Sequence, residues 1–226
     1  METEGPSIYL VRHGETEWNR ERRVQGRQDS PLTALGKIQA ARVGLVLKTF
    51  DGLRRSPLII SSPLMRAETS ARIIGDALNA NETNFQVDDR LSEVSAGEWE
   101  GLLYTKIETE FPETVEHRRH PEWYFDAPMA ETTESAVQRA TSFLKSAESY
   151  GNIIVVTHRI IGAIIRGTYS GLSTTEALAS DFPQESIFQL HNGRISIFDT
   201  SAAISKNFPT EWKKPDTASV LPCVSK

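Results

Sequence analysis

The 226-residue sequence has a single cysteine, Cys223, and no apolar run long enough to cross a bilayer. One thiol makes no intramolecular disulfide and no multi-cysteine zinc site. The most apolar stretch, Ile153 to Ile165, is broken by His158 and Arg159 and followed by Arg166, which excludes a membrane-spanning helix. An excess of positive charge is missing as well. Lys and Arg number 25 against 30 Asp and Glu, a formal net charge of −5, which argues against broad binding of nucleic acid or an anionic membrane. Met1-Glu2-Thr3-Glu4-Gly5-Pro6 lacks the basic-then-apolar pattern of a secretion signal, so a cytoplasmic location is expected. No acidic cluster resembles a magnesium cage, and no glycine-rich run leads into Lys-Ser or Lys-Thr. With 38% apolar and 24% charged residues, the composition is that of an ordinary globular protein. The length suits one domain over residues 1–200, with residues 201–226 as a tail without periodicity.

Three apolar runs each deliver a His or an Arg at their carboxyl ends. Ile8-Tyr9-Leu10-Val11 enters Arg12-His13-Gly14; Ile153 to Thr157 ends in His158-Arg159; Leu58-Ile59-Ile60-Ser61 leads into Ser62-Pro63-Leu64-Met65-Arg66. In open α/β sheets that edge is where ligands bind. Helical spacing separates the runs. A helix is predicted from an N-cap at Thr33 to about Phe50, and another starts at Pro63 and continues over Ala67 to Leu78. A third covers Thr132 to Tyr150 with Gly151 as its cap, and a fourth Ile160 to Tyr169. This alternation predicts an α/β fold. Phe85, Val87 and Leu91 mark a short extended piece, and Tyr104 to Phe111 a helix ended by Pro112. Residues 101–130 read as a lid, rich in charge, aromatics and proline from His117 to Pro128. Asn192-Gly193 between two apolar runs predicts a hairpin.

Phosphate monoesters hydrolyse extremely slowly unaided, and much of the enzymatic acceleration is electrostatic stabilisation plus in-line positioning. Without a magnesium cage, the positive charge must come from side chains. Arg12 and Arg66 can each present a fork of donors to phosphate oxygens. His13 is the candidate nucleophile: mostly neutral at cellular pH, and more so beside cations, it can attack phosphorus through one nitrogen while a backbone carbonyl in the Arg12-His13-Gly14 turn holds the other N–H. Gly14 supplies backbone freedom beside the ring. His158 would donate to the phosphate oxygens. Glu93 is the candidate proton donor to the leaving alkoxide, since a carboxyl near a phosphate dianion retains its proton more readily; deprotonated, it could then activate water.

The ordered set resembles the histidine phosphatase superfamily, also called phosphoglycerate-mutase-like. The resemblance rests on Val11-Arg12-His13-Gly14-Glu15-Thr16 with Trp18-Asn19, Gln25-Gly26, Pro31-Leu32-Thr33 and Gly36. It continues through Ser61 to Ala67 with Thr69-Ser70-Ala71, then Leu91, Glu93, Gly97 and Trp99-Glu100-Gly101, and closes with Val156-Thr157-His158. It implies a three-layer α/β/α sandwich around a mostly parallel sheet, a phosphohistidine on His13, and no metal or other cofactor. It also implies a phosphate pocket of Arg12, Arg66 and His158, with Asn19, Gln25 and Gly26 touching substrate. Glu93 followed by Gly-x-Trp-Glu-Gly looks like the phosphatase branch, whose members act on phosphoglycerate derivatives, sugar phosphates, fructose bisphosphate and ribazole phosphate. Two positions depart from the pattern. Arg159 stands where the family usually has Gly, and Thr133-Glu134-Ser135 where it commonly has Gly-Glu-Ser. Arg159 beside His158 could add a phosphate contact, obstruct the pocket or point into solvent.

The expected activity is therefore metal-independent hydrolysis of small phosphorylated metabolites, with a small phosphate ester as the partner. Mutase-type phosphoryl transfer, a weakly active phospho-ligand-binding module and a protein phosphatase are the alternatives. Simpler readings apply elsewhere. Glu100 reads as a structural partner and Trp99 as a packing residue. His117-Arg118-Arg119-His120 reads as a solvated lid face rather than a metal pair, His191 as a turn residue, and Cys223 as an inert thiol. Trp123, Tyr124 and Phe125 are candidates to close over a leaving group.

Overall fold

The computed structural model describes residues 5–53, 57–112 and 120–201. Six strands form one sheet: β1 (Ile8–Arg12), β2 (Leu58–Ser61), β3 (Phe85–Val87), β4 (Ile153–Thr157), β5 (Ser186–His191) and β6 (Arg194–Asp199). Their order is β3-β2-β4-β1-β5-β6, with the first four parallel and the β5–β6 hairpin antiparallel. Central β4, Ile153-Ile154-Val155-Val156-Thr157, is buried at every position because both sheet faces are covered.

Alternation along the strands sorts the side chains into two cores. Leu10, Ile153 and Val155 pack on one face with Phe143, Ile161 and Ile164; Val11, Ile154 and Val156 pack on the other with Val43, Leu47 and Ile74. The helices follow: α1 (Glu17–Arg20), α2 (Ala34–Leu47), α3 (Met65–Leu78), α4 (Tyr104–Glu110), α5 (Thr133–Ala147), α6 (Arg159–Ser170) and α7 (Thr174–Ala179). Helices α2 and α3 cover one face, and α5, α6 and α7 the other, which makes the expected three layers. Among the described residues no helix is long and apolar enough to cross a membrane.

Several boundaries differ from expectation. Helix α2 is capped by Thr33 through Gly36 N, as its sequence predicts, but stops at Leu47. Helix α3 begins at Met65 behind an N-cap at Leu64, so Pro63 lies just outside it. Gly151 is not a helix cap: α5 ends at Ala147 with Glu148 as the C-cap. Two short helices escaped the periodicity argument, yet both carry capping boxes, Thr16 with Asn19 and Ser173 with Glu176. Asn192 and Gly193 adopt φ of 46° and 72°, the double left-handed pair of a two-residue hairpin.

The described part of the lid packs on the core that contains Leu10, Ile153 and Val155. Trp123 stacks on buried Trp99 at 5.8 Å and meets Tyr104 edge-on at 5.9 Å. His120 is exposed and accepts from Glu122 N through Nδ1. His117, Arg118, Arg119, Cys223 and the remainder of the tail from 202 lie outside the described residues.

Candidate active site

Strands β2, β4 and β1 are parallel neighbours, so the residues that follow them emerge side by side. The ladder runs one residue further: His13 N donates to Thr157 O at 3.0 Å and Ser62 N to Val156 O at 3.0 Å. His13 and His158 thus leave adjacent strands, with ring centroids 5.1 Å apart. His13 Nδ1 lies 2.7 Å from Gly14 O. A carbonyl only accepts, so this contact places the proton on Nδ1 and the lone pair of the neutral ring on Nε2. Nε2 carries no hydrogen bond among the described residues, and the ring lines a cavity. The turn expectation for His13 is met, but Gly14 is needed for a different reason. Its φ is not positive; instead, a Cβ there would lie 2.1 Å from Gly36 O. The loop that carries His13, the candidate nucleophile, packs backbone to backbone on the first turn of α2.

His158 is completely buried at the N-cap of α6. Its Nε2 meets Ser62 Oγ at 2.7 Å, and Ser62 Oγ also accepts from Leu64 N. Arg66 is 1% exposed and reaches back to the loop after α1, donating to Gly26 O, Gln28 O and the Asp29 carboxylate at 2.7–2.8 Å. Arg12 Nη1 donates to Phe182 O at 3.3 Å. Burial, reinforced by the Arg66 and Arg12 guanidiniums, pushes the His13 imidazole well below its ordinary pKa. Burial, Arg66, His13 and Arg12 do the same to His158. Burial and then Arg159 lower that of Arg12. Both rings are thereby held neutral, the state a nucleophile requires.

Arg12 Nε, Arg66 Nε, Gln25 Oε1 and His158 Nδ1 are buried polar atoms with no partner. Such atoms are costly and rare in native proteins, and four of them around one site mark a place built for a polar ligand. The cavity holds about 410 Å³ of empty space, part of it open to solvent, and is lined by Arg12, His13, Arg66, Glu93 and Arg159 among others. A larger hollow at the opposite end of the sheet, beside Ser7, Tyr9 and His191, has no such atom; Ser7 Oγ and His191 Nδ1 satisfy each other at 3.0 Å.

Asn19, Gln25 and Gly26 all line the cavity. Asn19 Oδ1 is used by Thr16 N and Gln184 Nε2. Gly26 needs its lack of a side chain: φ is +53° and a Cβ would lie 2.3 Å from Glu100 Oε1. Glu100 is the expected structural partner, accepting from Arg27 N, Ser95 Oγ and Ala96 N. Trp99 is 1% exposed, as a packing residue should be. Arg159 is exposed and faces the same cavity rather than bulk solvent alone.

Glu93 has a structural duty that its sequence context hid. Oε1 accepts from Val94 N and Ile161 N, and Oε2 from Ile160 N, at 3.0–3.1 Å. It caps α6, whose N-cap His158 makes no side-chain cap bond. A carboxylate offers about four lone-pair sites. Three are filled, and the free one is on Oε2. Thr157 Oγ1 donates to Leu91 O, and Arg139 Nη1 to Arg90 O and Ser92 O, so the segment bearing Glu93 is held on both sides.

Several contributors were not foreseen. Arg23, Tyr104 and Ile160 line the cavity without any local signal; of the three aromatic candidates Tyr124 lines it too, whereas Trp123 and Phe125 pack against the core. Ser70 bridges the nucleophile loop to α3, accepting from Gly14 N and donating to Arg66 O. Loop 180–184 returns to the site: Phe182 O holds Arg12, and Gln184 holds Asn19. Arg166 braces that loop by donating to Ser180 O and Asp181 O and lying 4.2 Å from the Phe188 ring centroid. No local motif announces such long-range partners. Among the described residues no group of three or more His, Cys, Asp or Glu could hold a metal ion.

Residues 8–202 match the sequence model of the histidine phosphatase superfamily (branch 1). A probable phosphoglycerate mutase, GpmB, of Salmonella paratyphi C is 48% identical over 90 residues, which span 40% of this chain and 39% of that protein. The solved mycobacterial glucosyl-3-phosphoglycerate phosphatase in complex with VO3 superposes with a TM-score of 0.69 at 26% identity, covering 82% of this chain and 90% of that one. A putative alpha-ribazole-5'-P phosphatase from Escherichia coli gives a TM-score of 0.72 over 86% of this chain and 95% of its own; at 22% identity it shows the shared fold alone.

Proposed function

The chain belongs to the histidine phosphatase superfamily (branch 1), and from that premise we propose that it is a phosphomonoesterase acting on small phosphorylated metabolites through a phosphohistidine. One observation carries the reading: His13 Nδ1 is tied to Gly14 O, which leaves Nε2 free in a cavity ringed by unsatisfied donors of Arg12, Arg66 and His158. Nε2 attacks phosphorus; the N–P bond forms as the ester P–O bond breaks. The leaving oxygen takes a proton from Glu93 Oε2, the carboxyl atom with a free lone pair. In the second step water gives its proton back to Glu93 and attacks phosphorus, the N–P bond breaks, and inorganic phosphate departs. The guanidiniums and His158 Nδ1–H counter charge on the phosphoryl oxygens throughout. Ser62 Oγ, facing Nε2 of His158, can supply the hydrogen bond that leaves the ring proton on Nδ1.

The positive charge comes from guanidiniums in this scheme, so turnover needs no metal. Hydrolysis of p-nitrophenyl phosphate should persist in EDTA and vanish in His13→Ala. Activity abolished by EDTA and restored by magnesium would refute the mechanism. The partial likeness to a probable phosphoglycerate mutase favours a second reading, phosphoryl transfer between hydroxyls of one metabolite. Comparing free phosphate with isomerised phosphoglycerate separates the two.

A further inference from the structure

Arg159 opens α6 directly after His158, and its side chain lines the cavity while remaining exposed. Among the described residues no carboxylate, carbonyl or ring engages its guanidinium. Two effects disfavour a free cation there. The amino end of a helix carries partial positive charge, which repels a cation in the first turn. The Arg12 guanidinium is also close, and its repulsion with Arg159 ranks next to burial in lowering the Arg12 pKa. Glu93 caps this helix end and offsets part of the cost, but a side chain that breaks a local rule and pairs with nothing is a candidate for function.

Among the described residues no carboxylate of the cavity forms an ion pair with Arg159. Arg66 is paired with Asp29 and Arg23 with Glu21. Glu93, the carboxylate in the lining, has three of its lone pairs occupied by backbone N–H groups. Arg12 and Arg159 are thus the lining cations with no carboxylate partner among the described residues. The Arg12 guanidinium helps to lower the pKa of both His13 and His158. Arg159 acts on Arg12 and on Tyr124, a buried ring that also feels Glu93. Arg159 shares the cavity lining with Tyr124 and with Glu93, the candidate acid, and the leaving group of an ester on His13 must sit beside that acid.

We propose that Arg159 forms a second anion subsite beside Tyr124, and that the ester turned over carries a further anionic group, carboxylate or phosphate, on its leaving group. This rests on the hydrolase reading above. A guanidinium fork suits either group. The phosphoryl to be transferred occupies Arg12, Arg66 and His158, and the second anion relieves the Arg12–Arg159 repulsion.

The test uses a matched pair. 3-Phosphoglycerate and glycerol 3-phosphate differ in a carboxylate against a hydroxymethyl group, and 2,3-bisphosphoglycerate supplies a second phosphate. The readout is the ratio of kcat/KM for either doubly anionic ester to that for glycerol 3-phosphate, which damage to folding does not change. In the wild type this ratio should exceed about tenfold, the lower range for a charge-assisted hydrogen bond. Arg159→Met should bring it near one, and Arg159→Lys, which keeps the charge, should hold it within about threefold of wild type. A fall for 3-phosphoglycerate assigns the carboxylate, and a fall confined to 2,3-bisphosphoglycerate assigns a second phosphate. A ratio unmoved by Arg159→Met, or lost equally in Arg159→Lys, would overturn the subsite. If no ester is hydrolysed the hydrolase reading fails, and calorimetric binding of the same esters to the same variants then reads the subsite without turnover.

Discussion

Glu93→Gln separates two duties that the wild-type carboxylate combines. The amide is isosteric but keeps one acceptor oxygen, while three backbone N–H groups, of Val94, Ile160 and Ile161, now use both carboxylate oxygens. Whichever way the amide turns, an NH2 group confronts at least one buried N–H. An unsatisfied buried donor costs about 1–3 kcal/mol. Losing the negative charge at the amino end of α6 adds roughly 0.3–1 kcal/mol. A loss of about 2 kcal/mol of stability is therefore expected, readable as a fall in the guanidinium midpoint without change of slope. The catalytic loss is separate and larger. General acid catalysis is worth about 10²–10⁴ in rate, and it matters most when the leaving group is a poor one. Glycerol 3-phosphate turnover should fall in that range, and p-nitrophenyl phosphate turnover, whose phenolate leaves unaided, by much less. Phosphate release at saturating substrate, at a temperature well below the variant's unfolding, measures both. Equal losses for the two esters would show that Glu93 acts only by positioning α6 and His158. Glycerol 3-phosphate turnover within about tenfold of wild type would remove Glu93 from proton transfer.

Acid should destabilise the fold through the two buried imidazoles. Both lie well below the ordinary value of 6.5 when folded, so below that pH the unfolded chain binds more protons and stability falls as pH falls. The limiting slope is about 1.4 kcal/mol per pH unit for each ring, ending once the folded rings themselves titrate. His13→Asn should remove about half of it; denaturant midpoints that stay flat from neutral to mildly acid pH would contradict the burial argument. Gly36→Ala should be severe, because its Cβ would lie 2.0 Å from Glu15 O; a soluble variant with wild-type turnover would refute the proposed contact between α2 and the nucleophile loop. Gln184→Ala removes the Nε2 donor to Asn19 and should raise KM several-fold with little change in thermal midpoint, a change in midpoint alone being the contrary result.

Much of this architecture is legible in the chain itself. The apolar runs before His13, Arg66 and His158 mark buried parallel strands, and the sheet rule assigns their carboxyl ends to one edge. Thr33 signals its helix, and Asn192-Gly193 its hairpin. What sequence could not supply is the set of contacts made across long separations. Gly14 reads as a flexible residue until Gly36 is found pressed against it. Glu93 reads as an acid and nothing more, because no local pattern reveals that Ile160 and Ile161, far along the chain, will offer it their N–H groups. Trp123 reads as a substrate cover because its stacking on Trp99 depends on how the lid folds back. Local propensity specifies elements; only packing decides which face of an element is used.

If the chain hydrolyses phosphate esters as proposed, inorganic phosphate meets the same waiting atoms after turnover that the ester met before it. Arg12 Nε, Arg66 Nε and His158 Nδ1 have no partner within the protein, so the departing anion must give up contacts that no protein group replaces. Product inhibition follows, with release rather than chemistry setting the pace for good leaving groups. Protein kept in phosphate buffer should melt at a higher temperature, by mass action on the folded state, and should look slower than it is.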